Sequence, residues 1–120
     1  MNAAEMLQAI KSHPDYHKAG MVLCHNGVVR ATSRDGRRVS GLSVAVDHAR
    51  LEAVIDKARR TPGIVDVQVQ IAENLPLAVG DDVMLLVVAG DIRENVIRTL
   101  EDTLNAIKTS VTSKTEFYAD

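Results

Sequence analysis

Apolar residues recur along the chain with two spacings, one typical of helices and one typical of strands. Apolar positions three or four residues apart predict helices over 2–11, 48–60 and 92–108. Alternating or continuous apolar runs predict strands over 19–31, 38–46, 64–72 and 83–89, and the segment 109–120 is strand-like. Paired strands that alternate with helices favour an α+β fold, in which the helices pack on a mainly antiparallel sheet.

Polar residues at the element boundaries indicate where the predicted helices begin and where the chain turns. Asn2, Asp47 and Asp91 each stand just before a predicted helix, where a short oxygen-bearing side chain accepts hydrogen bonds from free backbone amides. The Asp-Gly pair at 35–36 is a strong turn signal, so we expect the first two strands to form a long hairpin with an arginine-rich tip. The expected buried stripe of the last helix consists of Val96, Ile97, Leu100, Leu104 and Ile107.

The composition narrows the class of protein. A length of 120 residues suits one domain spanning 1–120, and 46% apolar residues are enough for a core. The aromatic residues are Tyr16, Phe117 and Tyr118 and the net charge is −2, which argues against a nucleic-acid binder that stacks bases. No apolar stretch reaches the roughly 18 residues of a membrane span, and no signal pattern opens the chain. We therefore expect a cytoplasmic protein without nucleic-acid or membrane partners.

Common catalytic motifs are absent from the sequence, which has no P-loop, dinucleotide fingerprint, metalloprotease helix or Ser-centred elbow. The four histidines, His13, His17, His25 and His48, show no convincing metal-ligand spacing and are expected at the surface. Cys24, the single cysteine, lies in an apolar run, which favours a buried and unreactive thiol. The sequence therefore indicates neither a metal nor a cofactor.

Positive charge is concentrated in a way that is typical of anion binding. Four of the nine arginines fall within nine positions, at Arg30, Arg34, Arg37 and Arg38. Arg93 opens the last predicted helix, and Lys108 and Lys114 lie around its end. Arginines and lysines that converged in the fold would bind an anionic, phosphate-bearing ligand, because arginine offers a two-pronged donor and lysine a point charge.

Three stretches of the sequence carry motifs of a known family. The first contains a Gly-x-Val-Arg motif, here 27–30, and the second a Gly-Arg-x-Val-x-x-Leu segment, here 36–42. The third, LAVGDDVMLLVVAGDIRENVIRTLEDTLNAIKTSVTSK, contains a Val-Gly-Asp turn, an apolar strand and a long helix that ends in lysine. From about residue 13 to residue 116 the chain resembles a diverged member of the family of the large, catalytic subunit of molybdopterin synthase.

The resemblance implies an α/β hammerhead-type fold, a homodimer within a heterotetramer, and a sulfurtransferase that acts in molybdenum cofactor biosynthesis. In this family a small ubiquitin-like subunit inserts its C-terminal Gly-Gly thiocarboxylate into a pocket of each large subunit. Sulfur passes from that tail to cyclic pyranopterin monophosphate and forms the dithiolene of molybdopterin. Some of the arginines and lysines that line the pocket come from the dimer mate.

The resemblance also predicts the site residues, position by position. Arg30 matches the arginine of the first motif and Arg93 that of a His-Arg pair at the helix start, so both are expected to bind substrate, with Arg37 as a third. Lys108 matches the lysine near the end of the long helix and is expected to act as the acid or electrostatic catalyst. Lys114 matches the second catalytic lysine with a one-residue offset and is expected to assist.

Some positions depart from the family pattern. Ile92 stands where the family usually has a histidine, and Ser-Lys-Thr-Glu at 113–116 stands where it usually has an aromatic-Lys-Lys/Arg-Glu stretch. Arg34 and Arg38 match no family position and are expected at a solvated tip. Two alternatives to an active synthase subunit stay open. One is a diverged homologue that keeps the fold without sulfur transfer, and the other is a ferredoxin-like regulatory module that binds a small ligand.

Overall fold

Three α-helices and six β-strands are formed by residues 1–119, the part of the chain that the computed structural model describes. The helices are α1 (Ala3–Lys11), α2 (His48–Arg59) and α3 (Arg93–Ala106). The strands are β1 (Met21–Val28), β2 (Val39–Val46), β3 (Ile64–Ile71), β4 (Leu77–Ala78), β5 (Asp82–Gly90) and β6 (Thr112–Tyr118). A 3-10 turn at Tyr16–Lys18 and a π-helical turn at Ile107–Val111 complete the order. Within these residues no helix is long and apolar enough to cross a membrane.

The strands form two separate three-stranded sheets, both antiparallel, which confirms the α+β class. In the first sheet β5 lies between β1 and β3, and in the second sheet β2 lies between β4 and β6. The continuous apolar run predicted over 83–89 is β5. Its central position explains the composition of the run, because a strand that is covered on both faces is apolar throughout.

Helices cover both faces of the first sheet, and α1 and α2 begin where the capping residues predict. Asn2 and Asp47 each accept a hydrogen bond from an amide three residues on. The cluster on one face joins α1 to β5 and contains Met6, Ile10, Leu85, Val87 and Ala89. The cluster on the other face joins α2 and α3 to the sheet and contains Ala58, Val67, Leu86, Val88 and Val96. Side chains that alternate along β5 therefore hold all three helices in place.

The predicted long hairpin between 19–31 and 38–46 is wrong, because β1 and β2 belong to different sheets. β1 pairs with β5 along its whole length, and after a register shift next to Gly27 the chain leaves the first sheet. A single bridge between Thr32 and Arg38 is what remains of the hairpin. The physical reason is that the backbone of the buried strand β5 needs hydrogen-bond partners on both edges, and β1 supplies one of them.

The start of α3 and its buried stripe each differ from the prediction at one residue. The N-cap position is Ile92, while the Oδ1 atom of Asp91 accepts hydrogen bonds from the Ile92 amide at 2.7 Å and from the Asn95 side chain at 2.9 Å. Ile97 was expected in the stripe but is 50% exposed. The face of α3 that meets the sheet passes through Val96, and Ile97 lies about 100° around the helix from it.

The two sheets meet at an apolar junction, which positions the candidate site. Met84 of β5 and two residues of the π-helical turn, Ile107 and Val111, form a buried cluster there. Partly buried side chains from several elements pack around it, namely Val46, Leu51, Val54, Val69, Ile71, Val83 and Leu104. The π-helical turn thus links α3 to β6 and anchors both against the junction.

Candidate functional site

A cavity of about 520 Å³ opens at the junction between the two sheets. Its apolar wall combines Val44 of the second sheet with Ile71, Val83 and Met84 of the first sheet. Its polar lining consists of Arg34, Asn105, Lys108, Thr109, Thr112 and Lys114. An apolar wall with a few polar groups, at this volume, is typical of a small-molecule site.

A second cavity of about 300 Å³ adjoins the first and shares Arg34, Lys108 and Lys114 with it. It adds Arg30, which follows β1, and Glu116 of β6. Four cationic side chains therefore converge on two adjoining cavities whose lining includes one carboxylate. This excess of positive charge favours an anionic ligand, since hydrogen bonds between ionised groups are the strong ones.

Lys108 reaches the site because α3 ends in the π-helical turn. Ile107 and Val111 lie at the two ends of the turn, and both are buried. The Ser110 hydroxyl donates a hydrogen bond to the Ala106 carbonyl at 2.7 Å, which gives this carbonyl a partner at the end of the helix. Lys108 itself stays exposed and borders both cavities. π-helical turns are often found at functional sites.

Lys114 lies on the same side of β6 as Thr112 and Glu116, because side chains alternate along a strand. Lys114 borders both cavities, so the one-residue offset in the sequence does not turn its side chain away from the site. Its ammonium lies 3.8 Å from the carboxylate of Glu116. The Lys114 side chain is half exposed and the distance is long for an ion pair, so the pair is weak and Lys114 can exchange Glu116 for a ligand.

Arg30 and Arg34 reach the site from the segment that links the two sheets. Arg30 lines the smaller cavity, and its Nε donates to the Thr32 carbonyl at 2.8 Å. The sequence predicts Arg34 at a solvated tip, but the structure brings it to both cavities. The tip folds back against the protein, with Ser33 buried at its base. The Ser-x-Asp-Gly pattern signals a turn, but it does not indicate which way the turn leans.

Arg37 and Arg93, two of the predicted substrate-binding residues, line neither cavity. The guanidinium of Arg37 lies 3.6 Å from the centre of the Tyr118 ring, a cation–π contact that ties the loop to β6. Arg93 opens α3, and its Nε lies 3.3 Å from a carboxylate oxygen of Glu94. Arg93 and Lys108 are 15 positions apart in the sequence, which corresponds to about 22 Å along a helix. Within one chain these two residues therefore do not contact the same small ligand.

His25 of β1 was expected at the surface, but its Nε2 atom is buried and has no hydrogen-bond partner. The imidazole lies on the same face of β1 as Met21 and Leu23, which pack towards α3. Gly27 follows on the same face, and a Cβ there would lie 3.4 Å from Nε2, at van der Waals contact with the ring. Burial and the positive charge of Lys108 both lower the pKa of His25. The imidazole is therefore neutral at pH 7.

Removing the charge of Lys108 is expected to raise the pKa of His25. In Lys108→Met the burial remains, so the pKa should rise and still stay below its ordinary value of about 6.5. A titration of the His25 ring protons by NMR measures this shift. Lys57→Met, which removes an equal charge from α2, is the matched control and should leave the titration unchanged. An unaltered His25 pKa in Lys108→Met would show that the two side chains do not interact.

The expectation of a buried Cys24 is wrong, because the side chain is exposed on β1, an edge strand of the first sheet. Leu23 and His25 lie on the face of β1 that α3 covers. Because side chains alternate along a strand, Cys24 lies on the opposite face. On that face Val22 packs in the cluster with α1, but Cys24 is not part of this cluster. Cys24 lines neither cavity of the candidate site.

The fold and the site together define a class, an α+β protein whose arginines and lysines gather on adjoining cavities between two antiparallel sheets. The family model of the MoaE protein matches residues 1–110, and the chain belongs to this family. MoaE proteins are the large subunits of molybdopterin synthase, which act in molybdenum cofactor biosynthesis. The resemblance stated from the sequence is confirmed, and the ferredoxin-like alternative has no support.

Solved structures of this kind match essentially the whole chain. Molybdopterin synthase from Staphylococcus aureus has a TM-score of 0.79 and 21% identity, covering 100% of this chain and 87% of that chain. The MoaE protein from Burkholderia ambifaria MC40-6 has a TM-score of 0.76 and 19% identity, covering 99% and 84%. A complex of subunits 1 and 2 of molybdopterin-converting factor from Helicobacter pylori 26695 has a TM-score of 0.71 and 21% identity, covering 100% and 85%. At these identities the structures establish the fold. A comparison with curated proteins finds no match.

Proposed function

We propose that this chain catalyses the sulfur-transfer step of molybdopterin synthesis in the cytoplasm. It takes sulfur from the C-terminal Gly-Gly thiocarboxylate of a small ubiquitin-like subunit and delivers it to cyclic pyranopterin monophosphate. The observation that supports this reaction is the convergence of Arg30, Arg34, Lys108 and Lys114 on two adjoining cavities. Both reactants carry an anionic group, a phosphate in one and a thiocarboxylate in the other, and the four cations match both charges.

The two cavities suit two reactants that differ in polarity. The larger one has an apolar wall against which a flat ring can pack, and the smaller one is lined mainly by polar and charged groups. A Gly-Gly tail has no side chains, so it needs little space between the charged residues. The Helicobacter pylori relative is a complex of two subunits of molybdopterin-converting factor, which supports a similar assembly here. In our proposal this assembly is a heterotetramer built on a homodimer of the large subunit.

Lys108 and Lys114 carry the chemistry in this proposal. The thiocarboxylate sulfur forms a bond to a substrate carbon while a carbon–oxygen bond at that carbon breaks and the departing oxygen takes up a proton. Water then cleaves the acyl–sulfur bond, so that the tail leaves as a carboxylate and the sulfur stays on the substrate. A second thiocarboxylated tail supplies the second sulfur of the dithiolene in the same way. Negative charge develops on the acyl oxygen during that cleavage, and a fixed cation stabilises it. Lys108 borders both cavities and supplies that cation or the proton. Lys114 assists from β6 with a second positive charge.

The arginines hold the reactants in this proposal. Arg30 anchors an anionic group in the smaller cavity. Arg93 serves the pocket of the second protomer, because it lies too far from Lys108 within its own chain. Arg37 stays a predicted substrate-binding residue, although its contact with Tyr118 favours a role in holding the loop.

The direct test mixes the purified chain with a thiocarboxylated small subunit and cyclic pyranopterin monophosphate. We expect the dithiolene product to form, because the pocket has cations for both reactants. A small subunit that ends in an ordinary Gly-Gly carboxylate is the matched control, since it has the same tail but no sulfur to give. Binding of the tail without product would favour the non-catalytic homologue over the proposed enzyme.

A further inference from the structure

Arg34 lies at the tip of the segment between β1 and β2, and hydrogen bonds within the segment stabilise this tip. The Ser33 amide donates to the Arg37 carbonyl at 2.9 Å, and the Gly36 amide donates to the Ser33 carbonyl at 3.0 Å. Gly36 has a φ of 88°, which closes the turn and which a residue with a side chain rarely adopts. A β-bridge closes the base of the segment. The backbone therefore presents Arg34 from a fixed position, so that less conformational entropy is lost when a ligand binds.

Asp35, the acidic residue next to Arg34 in the sequence, is already hydrogen-bonded within the same turn. Asp35 accepts hydrogen bonds from the Ser33 hydroxyl and from the Arg37 amide. These hydrogen bonds lower the pKa of Asp35, so its carboxylate stays charged. Across residues 1–119 no carboxylate forms an ion pair with Arg34. Its guanidinium thus borders both cavities with its donors unused by acidic groups.

The other three arginines of the cluster differ from Arg34 in their surroundings. Arg37 stacks on Tyr118, and Arg30 donates from Nε to the Thr32 carbonyl. Arg38 is exposed and lines neither cavity. Arg34 is therefore the member of the cluster that borders both cavities, and Arg38 is a matched control for it in the same segment.

We propose that Arg34 is a further anion-binding residue of this site, holding the substrate phosphate or the carboxylate end of the partner's tail where the two cavities meet. A guanidinium donates two parallel hydrogen bonds to either group. Because Lys108 and Lys114 border the same two cavities, the bound anion lies beside the proposed catalytic lysines. The identity of the anion rests on the proposed function, whereas the anion site rests on the turn and the cavities.

Calorimetric titration of the full chain with pyrophosphate tests the anion site without relying on any reaction. Arg34→Gln removes the charge and should weaken pyrophosphate binding by about tenfold, and Arg34→Lys should recover part of that loss. Arg38→Gln removes the same charge outside the cavities and should bind like the wild type. Equal affinity in the wild type and Arg34→Gln, or no binding to the wild type, would overturn the proposal.

A second pair of titrations separates the two sources of the anion. Cyclic pyranopterin monophosphate and a synthetic peptide ending in a free Gly-Gly carboxylate are each titrated into the wild type and Arg34→Gln. A loss confined to the first ligand assigns Arg34 to the phosphate, and a loss confined to the peptide assigns it to the tail. Equal binding of both ligands by the two proteins rejects Arg34 as their contact. Pyrophosphate binding that depends on Arg34, without dithiolene product, keeps the anion site and rejects the proposed reaction.

Discussion

Methionine in place of Lys108 is expected to slow dithiolene formation by about a hundredfold to a thousandfold, which is the usual loss when one well-placed charge leaves an active site. Methionine keeps the length and the apolar stem of lysine, so the substitution isolates the ammonium. Lys108 is exposed at the end of α3, so the stability of the fold should change little. Single-turnover kinetics with the thiocarboxylated small subunit measure the loss at the chemical step.

Two companion variants show what the ammonium of Lys108 does. Lys108→Arg keeps the positive charge but gives up its proton far less readily. Substantial activity in Lys108→Arg would indicate electrostatic stabilisation, whereas an inactive variant would indicate proton transfer. Lys57→Met on α2 removes a charge away from both cavities and should keep the wild-type rate. A rate for Lys108→Met within about twofold of the wild type would remove Lys108 from the chemistry.

Arg93→Ala is expected to lower activity by about tenfold to a hundredfold, because the pocket loses a charged contact to an anionic reactant. If Arg93 serves the pocket of the second protomer, the weakly active Arg93→Ala chain and the weakly active Lys108→Met chain complement each other. Each mixed dimer then has one pocket with both residues intact. Random mixing at equal amounts should restore about a quarter of the wild-type rate, since half of the dimers are mixed and half of their pockets are complete.

The matched control for this mixing experiment pairs Lys108→Met with Arg30→Ala. Arg30 and Lys108 line the same cavity within one chain, so every pocket of a mixed dimer lacks one of them and no activity should return. Differently tagged chains verify that mixed dimers have formed. Mixed dimers of Arg93→Ala and Lys108→Met that stay inactive would show that Arg93 does not act across the dimer.

The local pattern of apolar residues predicts the elements of this fold but not their partners. The run at 83–89 identifies a central strand because β5 is buried on both faces from residue 84 to residue 90, so that both alternating sets of side chains are apolar. The partner of β1 is a strand far along the chain, and no residue between 19 and 46 records that pairing. The hairpin prediction failed for this reason, since turn chemistry at 35–36 specifies a reversal of the chain without specifying which strands pair.

The candidate site is predictable where it depends on motifs and unpredictable where it depends on packing. The family motifs name Arg30, Lys108 and Lys114, and the structure places all three side chains at the two cavities. Their catalytic and binding roles stay predictions. The placement of Arg34 depends on the direction in which a turn folds back. The burial of His25 depends on which face of β1 is covered by α3. The residues around these positions indicate neither the direction of the turn nor the face of β1 that is covered.

The molecule is elongated, 51 × 25 × 23 Å, with a radius of gyration of 15.2 Å, whereas about 14 Å is usual for a compact chain of this length. Within the described residues the two sheets share no hydrogen-bonded strand pair. The larger cavity takes its wall from both, with Val44 on one side and Met84 on the other. A ligand that fills this cavity therefore contacts both sheets at once. Its contacts add to the buried apolar cluster that already joins the two halves of the molecule.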